Sequence, residues 1–241
     1  MLRKLFSLTG VIPIGVFLVI HLWTYSSALD GRHAFDAALE GSTQTPYAWA
    51  VEALLIWLPL LFHGAYGIVL SFEARPNLLK YPYGRNWAYL WQRVSGVLAL
   101  AFIGYHTYTF RIPLATGALQ PQDLFASLCG SLSTTVQYGV PLVAVGYLIG
   151  IAAICYHFAN GLVGFCFSWG ITVSQRATRR VAGLCGLLAI VLFAMGANLV
   201  LYFATGSRLA WTLHDEAPQP AVGCRELDLE KAETLSLTEA R

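Results

Sequence analysis

The sequence predicts an all-α membrane protein with five transmembrane helices and a cytoplasmic N-terminus. Of its 241 residues, 56% are hydrophobic and 12% are charged, whereas a soluble domain typically carries about 25% charged residues. The chain also contains several charge-free runs that reach the roughly 20 residues a helix needs to cross a bilayer. This composition argues against a soluble enzyme, a disordered protein and a nucleic-acid binder. The net charge of +2 is too small to indicate a polyanionic partner.

Five apolar runs define the predicted spans. They are, in order, Leu5–Leu29, Ala53–Phe72, Val94–Phe110 (which can extend back to Trp87), about Tyr138–Ser168, and Val181–Ser207. The fourth span belongs to a longer charge-free run, Leu124 to Gln175, which could hold two spans. We interpret the run as one span, because Ala126 to Gln137 is rich in Ser, Thr and Gly and suits an outer loop or surface helix. Pro141 is then expected in the first turn of the span, where its missing N–H is tolerated.

The orientation follows from the distribution of basic residues. With the N-terminus inside, the inner segments hold nine of the fifteen Lys and Arg residues and one acid, Glu73. The nine are Arg3, Lys4, Arg75, Lys80, Arg85, Arg93, Arg176, Arg179 and Arg180. The C-terminus is therefore expected outside. A cleaved signal peptide is the alternative interpretation of the N-terminus, but the run is long for a signal core and contains His21.

The predicted domains are a transmembrane domain, residues 1–206, and a polar, flexible outer extension, residues 207–241. The extension carries many acids together with Pro218 and Pro220, a composition typical of mobile segments. The five cysteines form no CxxC pair. We assign them no redox role, since most lie in apolar runs where Cys is usually a small buried hydrophobe.

Four of the six histidines lie in different predicted spans, one in each of the first four. An ionisable residue inside a membrane is costly and is a functional hypothesis by default. At about 1.5 Å of rise per residue, His21 and His106 fall near the outer ends of their spans. His63 and His157 fall in the inner halves of theirs. The sequence thus predicts an outer pair and an inner pair.

Two imidazoles that face each other across a helix bundle suit the two axial positions of a haem iron. The predicted architecture is therefore a four-helix haem-binding bundle plus a fifth helix. With both axial positions filled, the expected chemistry is electron transfer alone. The alternative is that each His only forms a hydrogen bond to a neighbouring helix. All four histidines would then have this role and would fall into two pairs of matching depth by coincidence.

Several motifs, in order along residues 5 to 205, resemble a known family. They are Ser7-Leu-Thr-Gly-Val-Ile-Pro-Ile-Gly up to His21, Glu52 through Leu58-Pro-Leu-Leu-Phe-His63-Gly-Ala-Tyr-Gly67, Tyr83-Gly-Arg-Asn-Trp87 through Gln92-Arg-Val-Ser-Gly96 to Tyr105-His106, and Tyr156-His157-Phe-Ala-Asn-Gly161. The chain resembles the five-helix, di-haem cytochrome b anchor of succinate:quinone oxidoreductases, of the menaquinone-linked type.

The resemblance implies two haem b groups in a bacterial cytoplasmic (inner) membrane. The proximal haem would lie on His63 and His157, and the distal haem on His21 and His106. A flavoprotein subunit would oxidise succinate on the inner side, and an iron–sulfur subunit would pass the electrons to the proximal haem. The distal haem would receive them next, and menaquinone would be reduced in a membrane-embedded pocket. The inner loops, Phe72 to Tyr89 and Ser168 to Arg180, are the expected dock for the iron–sulfur partner. Membrane lipid and an oligomer of the whole complex complete the expected partners, without nucleic acid.

The resemblance also assigns roles outside the haem ligands. Ser7, Gln92 and Arg93 match positions near the proximal propionates, although Arg93 also suits plain positive-inside anchoring. Glu52 is the candidate proton relay for quinone reduction, although a carboxylate at a helix N-terminus is favourable in itself. Asp36 and His33 are weaker candidates for the relay.

One position departs from some relatives that reduce fumarate. They carry a Glu two residues before the fourth haem His, where this chain has Cys155, which favours succinate oxidation. Two alternatives remain open at this stage. One is a cytochrome b anchor of another membrane dehydrogenase, and the other is a haem-free multi-pass transporter.

Overall fold

The computed structural model describes residues 1–43, 47–73, 75, 77–135, 139–208 and 224. Within these residues the regular structure is helical and contains no strand. The α-helices are α1 (Leu2–Val11), α2 (Pro13–Ser26), α3 (Arg32–Thr43), α4 (Ala48–Glu52), α5 (Leu58–Phe72), α6 (Gly84–His106), α7 (Ile112–Thr116), α8 (Leu124–Ser133), α9 (Leu142–Ser168) and α10 (Gln175–Thr205). The all-α part of the prediction is confirmed.

Four helical segments of the described chain are long and apolar enough to cross a membrane. They are Leu2–Asp30, Ala48–Phe72, Leu142–Ser168 and Gln175–Thr205. They cover the first, second, fourth and fifth predicted spans. The third predicted span lies on α6 up to His106 and ends on the π-helical turn Thr107–Arg111. The polar residues Gln92, Arg93 and His106 lower the hydropathy of α6, a 23-residue helix.

Prolines explain where the spans depart from regular α-helix. The first span is broken at Ile12, directly before Pro13. The second contains a π-helical turn, Ala53–Trp57, that ends just before Leu58-Pro59. The helix after His106 contains another, Thr107–Arg111, just before Ile112-Pro113. Proline cannot donate to the carbonyl four residues back and its ring pushes that carbonyl away, and a wider turn accommodates the defect.

The starts of the last two spans differ from the predicted ones. The expected start at Tyr138 lies outside the described residues, and α9 begins at Leu142, immediately after Pro141. Helix α10 begins at Gln175, six residues before the predicted Val181. The backbone N–H of Ala177 donates to Ser174 Oγ at 3.2 Å, so Ser174 caps this helix. Part of the predicted inner loop Ser168 to Arg180 is therefore the first turn of α10.

The chain divides into two compact units. The first comprises Met1–Leu22, Gln44–Tyr105 and Ile149–Ala194. The second comprises Trp23–Thr43, His106–Leu148 and Met195–Arg241. The predicted boundary at residue 206 stays a prediction, because past Arg208 the structure describes Cys224 alone.

An aromatic cluster forms the core of the second unit. Phe35 on α3, Phe125 on α8 and Phe203 on α10 meet edge to face, with ring centres 5.3 to 6.4 Å apart. All three side chains are buried, and such pairs stabilise by about 0.5–1.5 kcal/mol beyond area burial. Arg32 also donates to the carbonyl of Gln122 at 3.1 Å. Residues 126–133 of the segment interpreted as an outer loop or surface helix thus lie on a packed helix, and α3 is a helix that we did not predict.

The cysteine interpretation was wrong for one pair. Cys129 on α8 forms a disulfide with Cys224, with Cα atoms 5.5 Å apart. The two residues are 95 positions apart in sequence, so spacing alone could not reveal the pair. Cys155 and Cys185 are buried free thiols, as expected of small hydrophobes.

Candidate functional site

His63 and His157 lie close together in the first unit. His63 is on α5 and His157 is on α9, and their ring centres are 6.2 Å apart with the ring planes perpendicular. Two imidazole nitrogens, each about 2 Å from one metal ion, separate their ring centres by about 6 Å. The spacing of the predicted inner pair is therefore compatible with two axial ligands on one iron.

A backbone carbonyl faces the same nitrogen of each of these rings. His63 Nδ1 lies 3.0 Å from the carbonyl oxygen of Phe6, and His157 Nδ1 lies 3.0 Å from that of Gln92. A carbonyl only accepts hydrogen bonds, so each Nδ1 carries the proton and each Nε2 keeps its lone pair. This is the tautomer that an imidazole adopts when Nε2 binds a metal.

Glycines make room for both rings. A Cβ added at Gly10 on α1 would lie 2.5 Å from His63 Cε1, and one at Gly96 on α6 would lie 2.7 Å from His157 Cε1. Real Cβ atoms do not come so close to another carbon. A larger residue at either glycine would therefore have to displace the histidine ring that packs against it.

Gln92 and Asn160 form a polar clamp around His157. Gln92 Nε2 donates to the backbone carbonyl of His157 at 3.0 Å. The same Gln92 nitrogen lies 3.4 Å from the ring nitrogen Nε2 of His157. Asn160 Nδ2 donates to Gln92 Oε1 at 2.7 Å. Gln92 thus contacts one of the two inner histidines, while its expected contact with a proximal propionate stays a prediction.

Ser7 and Arg93, the other two residues expected near the proximal propionates, also lie in the first unit. Ser7 Oγ accepts from Trp169 Nε1 at 3.1 Å and donates to the carbonyl of Lys4. Arg93 stacks on the ring of Tyr89, 3.3 Å from its centre, and Nη1 donates to the Tyr89 carbonyl. Among the described residues, the Nε of Arg93 is buried without a hydrogen-bond partner.

These residues fit a haem. The two Nε2 atoms are the nitrogen ligands that an iron porphyrin requires. In the part of the chain that the structure describes, the Nε of the cationic Arg93 lacks a hydrogen-bond acceptor. A buried, unpaired donor is costly, and a propionate would satisfy it. Within the described residues, no group of three or more His, Cys, Asp and Glu side chains forms a cluster able to hold a metal ion.

The outer histidines belong to different units. His21 lies in the first unit, with its ring centre 5.3 Å from that of Phe17. His106 lies in the second unit, where its Nδ1 is 3.1 Å from the hydroxyl of Tyr147. The pairing of His21 with His106 stays a prediction.

The proton-relay candidates have contrasting surroundings. Glu52 ends α4, directly before the first π-helical turn, and its Oε1 accepts from Trp57 Nε1 at 3.0 Å. Asp36 Oδ2 lies 3.5 Å from Arg32 Nε, four residues earlier on α3. His33 is exposed.

Sequence reasoning missed three residues around the histidines. Phe6 stacks on His63 with ring centres 4.2 Å apart, Asn160 secures Gln92, and Tyr147 reaches His106. The spacing of three residues between His157 and Asn160 puts both on one helix face, which could have indicated the clamp. The contacts of Phe6 and Tyr147 join residues far apart in sequence.

Comparisons with known proteins agree with this picture. A family model described as "Succinate dehydrogenase/Fumarate reductase transmembrane subunit" matches residues 75–196. The succinate dehydrogenase cytochrome b558 subunit of Bacillus subtilis (strain 168) is 35% identical over 201 residues, which are 83% of this chain and 95% of that protein. No solved structure matches significantly. The chain belongs to the family of succinate dehydrogenase and fumarate reductase transmembrane subunits, as a cytochrome b membrane anchor.

Proposed function

We propose that this subunit carries electrons through two bis-histidine b haems, from an iron–sulfur subunit to menaquinone. The observation that carries the proposal is the inner pair, His63 and His157, with each Nδ1 at a backbone carbonyl. Held there by His63 and His157, a b haem would supply one-electron transfer and would bind no substrate, since both histidines would be bound to it. Succinate oxidation itself would take place in a flavoprotein subunit.

The chain contributes rigidity and charge compensation to this chemistry. The carbonyls of Phe6 and Gln92 orient the two imidazoles, and Gly10 and Gly96 let helices α1 and α6 approach them. Arg93 would hold a propionate near the inner membrane surface. His21 and His106 would hold the second haem nearer the outer surface, as their depths in the sequence predict.

The disulfide supports five spans with a cytoplasmic N-terminus. Disulfides persist in oxidising compartments, so Cys129 and Cys224 belong outside the bacterial cytoplasm. If α6 crosses the membrane, α8 lies opposite the N-terminus and its Arg3 and Lys4. If α6 does not cross the membrane, the disulfide lies on the same side as Arg3 and Lys4. The basic residues would then lie outside the cytoplasm, against the positive-inside rule. Five spans therefore satisfy both the disulfide and the positive-inside rule.

Haem content per chain tests the proposed function. We expect two b haems in the purified complex, measured as the pyridine haemochromogen with a dithionite-reduced-minus-oxidised spectrum. His63→Ala and His21→Ala should each remove a different haem. His33→Ala, at an exposed histidine outside the proposed ligands, is the matched control and should retain both. A well-inserted wild-type complex without haem in this subunit would overturn the proposal.

A further inference from the structure

The ligand environment of His106 differs from that of the inner pair. His63 and His157 each face a backbone carbonyl, which no substitution of a side chain can remove directly. His106, the last residue of α6, instead places Nδ1 3.1 Å from the side-chain hydroxyl of Tyr147 on α9. Both residues lie in the second unit.

Tyr147 is well placed to act on this imidazole. Its side chain is buried, with 6% of its surface exposed, and its ring meets the His106 ring edge to face at 5.9 Å. The hydroxyl can accept as well as donate a hydrogen bond. When His106 Nε2 binds iron, Nδ1 carries the proton, so the tyrosine oxygen is the acceptor.

We propose that Tyr147 is the positioning residue of His106, fixing its tautomer, its ring orientation and its electron donation to the iron. The proposal rests on the proposed function, in which His106 is a haem ligand. A partner that accepts from the remote N–H orients a ligating histidine and increases its basicity. A more basic ligand favours the ferric state, so Tyr147 lowers the midpoint potential of the haem on His106.

Tyr147→Phe in the whole complex tests this role. It deletes one oxygen and keeps the ring. We expect both haems to be retained, while the midpoint potential of one haem rises and its low-spin ferric electron paramagnetic resonance signal shifts. In a His63→Ala background, where only the outer haem is expected, the remaining haem should show the same shift. Tyr202→Phe is the matched control, since Tyr202 is a buried tyrosine of the same unit that packs on Phe203, and it should move neither signal.

The outcomes separate this proposal from the proposed function. Unchanged potentials and signals in Tyr147→Phe, with both haems present, overturn the role of Tyr147. If Tyr147→Phe loses one haem, Tyr147→Gln should restore it through its carbonyl acceptor, and a failure to restore it also overturns the role. Retention of both haems in His106→Ala would instead show that His106 is not a ligand, and the proposed function fails.

Discussion

Gly96 allows α6 to approach His157 because glycine has no Cβ. Its missing side chain leaves room for the His157 ring, which lies 2.7 Å from where a Cβ would be. Gly96→Ala should therefore displace His157 and weaken retention of the inner haem that we propose. Overpacking of this kind costs about 1–3 kcal/mol.

Haem content and thermal stability of the complex measure the effect. Gly186→Ala, on α10, is the control, because a Cβ there meets nothing within 4 Å. Equal haem retention in the two variants would contradict the role of Gly96.

Glu52 carries the prediction that concerns protons. Glu52→Gln keeps an oxygen that can accept from Trp57 Nε1 but cannot ionise. If the carboxylate relays protons, succinate:menaquinone reductase activity should fall, on the order of 10²-fold, as is typical when general acid–base catalysis is lost. Haem content should stay at the wild-type value.

Asp36→Asn makes the matched change at the weaker candidate, and we expect it to cost less activity. Activity of Glu52→Gln close to that of the wild type would exclude Glu52 as the relay.

At the scale of elements, proline sets the geometry around Glu52. The π-helical turn Ala53–Trp57 separates α4, which Glu52 ends, from α5, which carries His63. Pro59→Ala restores a backbone donor, and the turn can then tighten to an α-helix. One residue of altered winding rotates Glu52 by about 100° relative to His63.

We expect Pro59→Ala to lower quinone reduction while the haem on His63 is retained. Haem spectra and reductase activity of the same preparation separate the two effects. Pro141→Ala, directly before α9 where a missing N–H breaks no helical hydrogen bond, should change neither. Unaltered reductase activity in Pro59→Ala would show that the π-helical turn does not position the relay.

At the scale of the whole molecule, the disulfide links a point beyond the last span to α8. Disulfides that close long loops typically stabilise by about 2–4 kcal/mol. Cys224→Ser and Cys129→Ser should therefore lower the Tm of the complex to a similar extent. Cys166→Ser, which removes a free thiol, is the control.

The same cysteines test the orientation. In intact cells treated with a reductant, a membrane-impermeant maleimide should label Cys129 and Cys224 from outside. Labelling of these residues only after the cells are opened would contradict the five-span orientation.

The sequence by itself determined the all-α fold class and the family, and it predicts four intramembrane histidines. Low charge, long apolar runs and motifs in a fixed order can be recognised in the sequence alone, because none of them depends on knowing which residues are in contact. It also located four spans to within a few residues, because hydropathy depends on composition along the chain. It misjudged helix starts, where a single cap such as Ser174 decides the boundary.

Only the tertiary structure decided which groups meet. The Cys129–Cys224 bond, the stacking of Phe6 on His63 and the hydroxyl of Tyr147 at His106 Nδ1 all join residues distant in sequence. The tautomers of His63 and His157 likewise depend on carbonyls of other helices. Such contacts arise from how helices pack, and the pattern of one helix does not specify what its neighbour places against it.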